Sequence, residues 1–239
     1  IFIFLFFSEI KLTSVRIELF DLMLNNNLFS LFFTLFCLMI LINGTNFIDG
    51  LNGLVLSYYL TIVLIVFKLG LFEYSFLNNL DVYIIMIVLI YLILFNLFNQ
   101  LYIGDSGSYL IGFITGYFLI QIYENGPLFS PYFIALLLWY PAFEILFSII
   151  RKIKFKKSPF NPDNKHLHHL LFLCINKKYK LSNNFSNNLC SLIIILYNIL
   201  IFYIATFNIY YTSLHISLFI FNIVVYLALY FKLSKTYFE

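Results

Sequence analysis

Residues 28–54 read LFSLFFTLFCLMILINGTNFIDGLNGL. From 28 to 42 only Ser30 and Thr34 interrupt the apolar side chains, so the run is apolar on every face of a helix. From 43 to 54 Asn, Asp, Thr and Gly leave no more than two hydrophobes in a row. About 20 apolar residues cross the roughly 30 Å hydrocarbon layer of a bilayer, so the first part reads as a membrane span and the second as its emergence into water. Working outward, apolar runs punctuated by polar residues or Gly and Pro predict spans near 28–43, 53–70, 82–98, 108–123, 129–150, 189–209 and 213–232. The fold class expected is therefore an all-α polytopic integral membrane protein with seven complete transmembrane helices. The opening IFIFLFF, seven apolar residues, is too short for a span or a signal peptide and reads as the tail of a further helix, an N-terminal stub.

Composition excludes the rivals. The chain has 239 residues, of which 62% are hydrophobic and 10% charged, with mean hydropathy +0.95, whereas soluble domains are roughly 45–50% apolar. Little length is left for a separate extramembrane domain. Outer-membrane barrels alternate apolar and polar residues, which these runs do not. A net charge of +3 would suit a nucleic-acid partner only in a soluble protein; here the cations flank spans, and no nucleic acid is expected. Cys37, Cys174 and Cys190 are odd in number and lack a CxxC pair, so neither a disulfide framework nor a zinc site is indicated.

Alternating the seven helices puts 43–53, 98–108, 151–188 and 233–239 on one side. Arg151, Lys152, Lys154, Lys156, Lys157, Lys165, Lys177, Lys178, Lys180 and Lys235 lie there with Lys232 at the border, eleven of the fourteen cations. The positive-inside rule makes that side cytoplasmic. Three polar motifs fall on it, and they can converge on one site.

In the first, Asn43, Asn46, Asp49 and Asn52 are spaced by three and share a face if the segment is helical; an interhelical turn is the plainer alternative. In the second, Gly104-Asp105-Ser106-Gly107-Ser108 precedes an apolar helix whose N-terminus favours an anion, with Asp105 available as a hard oxygen ligand; an ordinary N-cap is the rival. In the third, Lys156, Lys157, Asp163 and Lys165 lead into His166-Leu-His168-His169, imidazoles suited to binding or protonating phosphate. Zinc is the rival there, but no cysteine has the spacing to complete a site, and topological anchoring accounts for most of the lysines. Glu144, two turns before Arg151, is either functional or paired with a cation. Asn96 either faces the site or caps a neighbouring helix, and His215 lies toward the opposite face.

Taken together, NxxNFxDGxxGL at 43–54, GDSGSxLxGF at 104–113 and SPFxxDxxHLHHL at 158–170 resemble the bacterial polyprenyl-phosphate N-acetylhexosamine-1-phosphate transferases of glycosyltransferase family 4. That group also contains phospho-N-acetylmuramoyl-pentapeptide transferase. The resemblance implies transfer of a sugar-1-phosphate from a UDP-amino sugar to undecaprenyl phosphate in the bacterial inner membrane. UMP is released, and the step initiates a cell-surface polysaccharide such as an O-antigen lipopolysaccharide. It implies Mg²⁺, replaceable by Mn²⁺, with Asp105 as its ligand. Asp49 and Asn46 would line the diphosphate or lipid-phosphate site, and His166, His168 and His169 would contact the donor phosphates. Asp49, Asp105 and the three histidines form the catalytic set. Asn43, Asn46, Asn52, Asn96, Ser106, Lys157 and Asp163 form the substrate-binding set. A homodimer is an admissible assembly.

Two departures stand out. Asn52 occupies a position commonly held by a second aspartate, and the aspartate pair of an earlier cytoplasmic loop does not occur. The expectation is a single transmembrane transferase domain over 1–239 that lacks its first helices. A transporter would need polar groups at mid-span, and these gather at one rim. A non-catalytic membrane scaffold remains the other alternative.

Overall fold

The computed structural model describes residues 1–8, 10–126, 128–154, 156 and 165–238. Its elements are α1 (Phe2–Ser8), α2 (Glu18–Leu24), α3 (Asn27–Ile48), α4 (Leu54–Lys68), a 3₁₀ turn (Leu71–Tyr74), α5 (Asn79–Leu97), α6 (Gly104–Asn125), α7 (Pro131–Leu137), α8 (Trp139–Lys154), α9 (Leu167–Tyr179), α10 (Asn183–Ala205) and α11 (Thr212–Phe238). No strand occurs among the described residues, and residues 10–17 form a strap outside any helix that leads into α2.

Every expected span contains helix, and four to five of these helices meet the length and apolarity that a crossing asks for. Among the described residues α3, α5, α10 and α11 are long and apolar enough to cross a membrane, and the α7–α8 pair makes a fifth if counted as one span. Of the rest, α4 has only 15 residues. In α6 the 22 residues include Asp105, Ser106 and Ser108 at one end and Gln121 and Glu124 at the other.

The expected 129–150 helix is broken at Leu138 and bent by 74°. Pro141 explains the break. It has no N–H to give the carbonyl of Leu137 four residues earlier, and its ring crowds that carbonyl. The orphaned oxygen is satisfied from α4, where the Tyr58 hydroxyl donates to it at 2.7 Å. The Tyr140 N–H in turn donates to the Tyr58 oxygen at 3.4 Å. A neighbouring helix thus repairs the backbone, as a bend in an apolar surround requires. Tyr58 is fully buried.

Helix α3 is the spine and packs mainly on α6 and α8. Small residues set both contacts. Ser108, Gly112 and Gly116 recur every four residues along α6, and a Cβ on Gly112 would come within 2.7 Å of Thr45 Oγ1. On the other side a Cβ on Gly44 would stand 2.2 Å from the Pro141 carbonyl oxygen. Close approach of this kind drives helix association where lipid offers no hydrophobic gain.

At the end remote from the motifs the strap is tied down by hydrogen bonds. Arg16 donates to the carbonyls of Leu128 and Tyr210 and to Thr212 Oγ1, and Thr13 donates to the Glu124 carboxylate from both its backbone and its hydroxyl. The loops after α1, α6 and α10 therefore share one rim, opposite the rim to which α3, α5 and α8 deliver the polar motifs.

Candidate functional site

Helix α3 remains helical to Ile48, so Asn43 and Asn46 share a face as the spacing predicts, and Asp49 caps the helix. Asn52 lies beyond, in the turn that Gly53 ends at φ +73° before α4. The closeness of α3 and α6 places Asn46 beside the second motif. Its amide donates to Asp105 Oδ1 at 2.9 Å and to Ser108 Oγ at 3.2 Å. Asp105 is the second residue of α6, and Ile103 precedes that helix without a side-chain cap. The ordinary N-cap alternative for Asp105 and Ser106 is therefore not what is built, and both side chains are exposed.

The third motif arrives from the other side. A Cβ on Gly50 would lie 2.7 Å from His168 Nε2 and from His169 Cε1. The first motif's turn thus rests directly on two of the three imidazoles. His166 stacks on His168 with ring centroids 5.6 Å apart, and His168 and His169 are 4.3 Å apart. Phe47 binds the assembly further: its ring meets His166 edge-on at 5.1 Å, and the Lys152 ammonium lies 5.8 Å over it. Three segments distant in sequence therefore meet at the ends of α3, α6 and α8.

The electrostatics are those of a site. Burial pushes the Asp49 carboxyl up from 3.8 to about 6, and the Asp105 charge adds to the effect. Two carboxylates close enough to repel, one partly desolvated, form a donor set a cation would relieve. Among the described residues no group of three acids, histidines or cysteines could enclose a metal. Mg²⁺ does not need one, since it commonly uses one or two carboxylates together with substrate phosphates. His168 is fully buried with neither ring nitrogen hydrogen-bonded among the described residues. Burial, helped by the His169 and His166 charges, holds it well below the usual 6.5.

Other expected site residues brace the cleft. Asn96 accepts from the Gly53 N–H and donates to the Leu101 carbonyl, tying the first motif to the loop that leads into the second. Asn52 donates to Asn99 Oδ1 at 2.5 Å, and its backbone N–H donates to Asn187 Oδ1 at 2.6 Å. Asn43 turns back to the Met39 carbonyl on its own helix. Glu144 pairs not with Arg151 but with His166, at 2.9 Å. His215 is buried, its ring against the Ala205 carbonyl at the far rim. Lys157 and Asp163 lie outside the described residues. Sequence reasoning passed over Phe47, Asn99 and Asn187. An aromatic inside a polar motif and amides flanking two span ends were the available signals.

An all-helical, multi-pass membrane protein with amides, carboxylates and imidazoles gathered at one rim defines the class. The model of the family described as glycosyl transferase family 4 matches residues 1–123, about half of the chain, and the chain belongs to that family. It is similar to the undecaprenyl-phosphate alpha-N-acetylglucosaminyl 1-phosphate transferase of Thermotoga maritima, 29% identical over 57% of this chain and 41% of the relative. It is also similar to the decaprenyl-phosphate N-acetylglucosaminephosphotransferase of Mycolicibacterium smegmatis, 29% identical over 59% and 40%. A third is the probable undecaprenyl-phosphate N-acetylglucosaminyl 1-phosphate transferase of Bacillus subtilis, 32% identical over 54% and 37%. The matches thus span about two fifths of the relatives' length. No solved structure matches.

Proposed function

We propose that the site transfers N-acetylhexosamine-1-phosphate from a UDP-sugar to a polyprenyl phosphate such as undecaprenyl phosphate. The observation that carries this reading is the meeting of the three motifs. Asn46 is hydrogen-bonded to Asp105, and Gly50 packs against His168 and His169. An oxygen of the lipid phosphate attacks the β-phosphorus of the donor. A new P–O bond forms, the bond from that phosphorus to the bridging oxygen breaks, and UMP leaves with that oxygen. The chemistry asks mainly for positioning and for neutralising charge on the transferring group.

Mg²⁺ would be held by Asp105 with Asp49 and would neutralise the diphosphate when bound. Asn46 fixes the Asp105 carboxylate. The imidazoles of His166 and His169, with the lysines around them, face the anionic donor. Glycine at position 50 lets the turn approach the rings without a side chain between. The excess of cations beside this rim supports its placement on the cytoplasmic side, where a soluble nucleotide sugar and a lipid headgroup can meet. N-acetylglucosamine is the sugar the relatives' names favour, and initiation of a surface polysaccharide is the matching role.

The test is incubation with polyprenyl phosphate, Mg²⁺ and a panel of UDP-amino sugars. The chain is supplied as it stands and, in parallel, within the longest natural reading frame that contains it. UMP release with a lipid product heavier by one N-acetylhexosamine phosphate supports the reading. Absence of product from both inserted, folded forms refutes it.

A further inference from the structure

Helix α8 holds the start of the histidine segment at successive points. Glu144 Oε1 lies 2.9 Å from His166 Nδ1 and accepts the Leu167 N–H at 3.3 Å. Two turns further along the same face, Arg151 donates to the Lys165 carbonyl and to the Tyr230 hydroxyl. His166 is the residue immediately before α9 and Leu167 its first, so the carboxylate serves as the cap that His166 itself does not supply. Glu144 and His168 are fully buried and His166 nearly so, and a carboxyl group buried in such a place needs a hydrogen-bonded partner.

A carboxylate only accepts hydrogen bonds, so its partner nitrogen on His166 must carry the proton. The bond to one ring nitrogen decides what the other can do. With Nδ1 committed to Glu144, Nε2 is the ring nitrogen left to meet a ligand. The carboxylate also sets the ring plane, and with it the stack on His168 and the edge contact with Phe47. Through Gly44 against Pro141, the same helix α8 is fixed to α3, which carries Asn46 and Asp49. One helix thereby sets the distance between the imidazoles and the first motif.

We propose that Glu144 is the positioning residue of the histidine segment, holding the proton on His166 Nδ1 and the first turn of α9 so that the imidazoles face the donor phosphates in one register. The inference rests on the transferase reading above and deepens it. Glu144→Gln keeps the volume and one acceptor oxygen but removes the charge that demands a proton at Nδ1.

The experiment measures steady-state kinetics of the full natural protein and of E144Q and E144D, together with ¹⁵N shifts of its labelled histidines. The unaltered protein shows His166 protonated at Nδ1. In E144Q that signature is lost, and kcat/KM for the UDP-sugar falls about 10- to 100-fold, as for other groups that orient a functional histidine. The KM for the lipid phosphate stays within about twofold of the unaltered protein's, because Asn46 and Asp49 are held elsewhere, and E144D recovers part of the loss. A merely structural role predicts equal losses for both substrates alongside a lowered melting temperature, which overturns the inference. So does an unprotonated Nδ1 in the unaltered protein, a result that does not depend on how any variant folds. Unchanged kinetics in E144Q with an active unaltered protein overturns this inference alone. An inactive unaltered protein overturns the transferase reading and the inference with it.

Discussion

Replacing Asp49 by Asn should make the protein more stable and less active. In the folded chain burial, followed by the Asp105 charge, raises this carboxyl from 3.8 to about 6. The folded state therefore binds the proton more readily than the unfolded chain between about pH 4 and 6. Stability falls as pH rises through that window, and the penalty is fully present above it. About two pH units at about 1.4 kcal/mol each give nearly 3 kcal/mol. Solvent reaching the half-buried carboxylate screens part of this and leaves about 2 kcal/mol. For a chain of this size that corresponds to roughly 4–8 °C in Tm. The assay is thermal unfolding of both proteins in lipid nanodiscs from pH 7.5 to 4. Asp49→Asn should melt higher at pH 7.5, its advantage should vanish toward pH 4, and turnover should fall at least about 100-fold. A variant that is no more stable at pH 7.5, or whose gain does not depend on pH, would show that burial does not raise the Asp49 carboxyl.

The depressed His168 works in the other sense. Unfolding releases a ring that then takes up a proton, so below about pH 6.5 stability falls by up to about 1.4 kcal/mol per pH unit. Melting in the Asp49→Asn background, where the opposing carboxyl is gone, should show this slope, and a flat profile would contradict the burial of the ring. Gly44→Ala drives a Cβ into the Pro141 backbone and should cost about 3 kcal/mol or more. Gly50→Ala meets only imidazole side chains, so Tm should hold while kcat/KM drops; equal stability losses for the two would show that the contacts are misread. Tyr58→Phe leaves the Leu137 carbonyl without its donor and should lower stability by about 1–3 kcal/mol in a urea or thermal titration.

Apolar runs long enough to be helices, and polar motifs at their ends, were legible in the sequence because burial in lipid leaves a strong compositional trace. The number of crossings was less so. Pro141 was visible, but that a bend follows depended on Tyr58 arriving from α4 to satisfy the Leu137 carbonyl, a contact between residues far apart in the chain. The pairing of α3 with α6 left a readable mark, small residues at 108, 112 and 116, but the stripe does not name the helix that fills it, and only the fold brings Asn46 to Asp105. Asn52 and Asn96 carried the same polar label as Asn46, yet they fasten loops. Which amide faces the cleft and which ties backbone is set by the packing around it. The partner of Glu144 was ambiguous for the same reason: Arg151 is nearer in sequence, but the helix turns that cation toward Lys165 and Tyr230.

Whether the second and third motifs act in one site is decided by a double-mutant cycle on kcat/KM with Asp105→Asn and His169→Gln in the active protein. Residues serving one transferring group are coupled, so the double variant should be little worse than the more damaged single variant. Losses that simply multiply would place the two residues in independent roles, with no shared site.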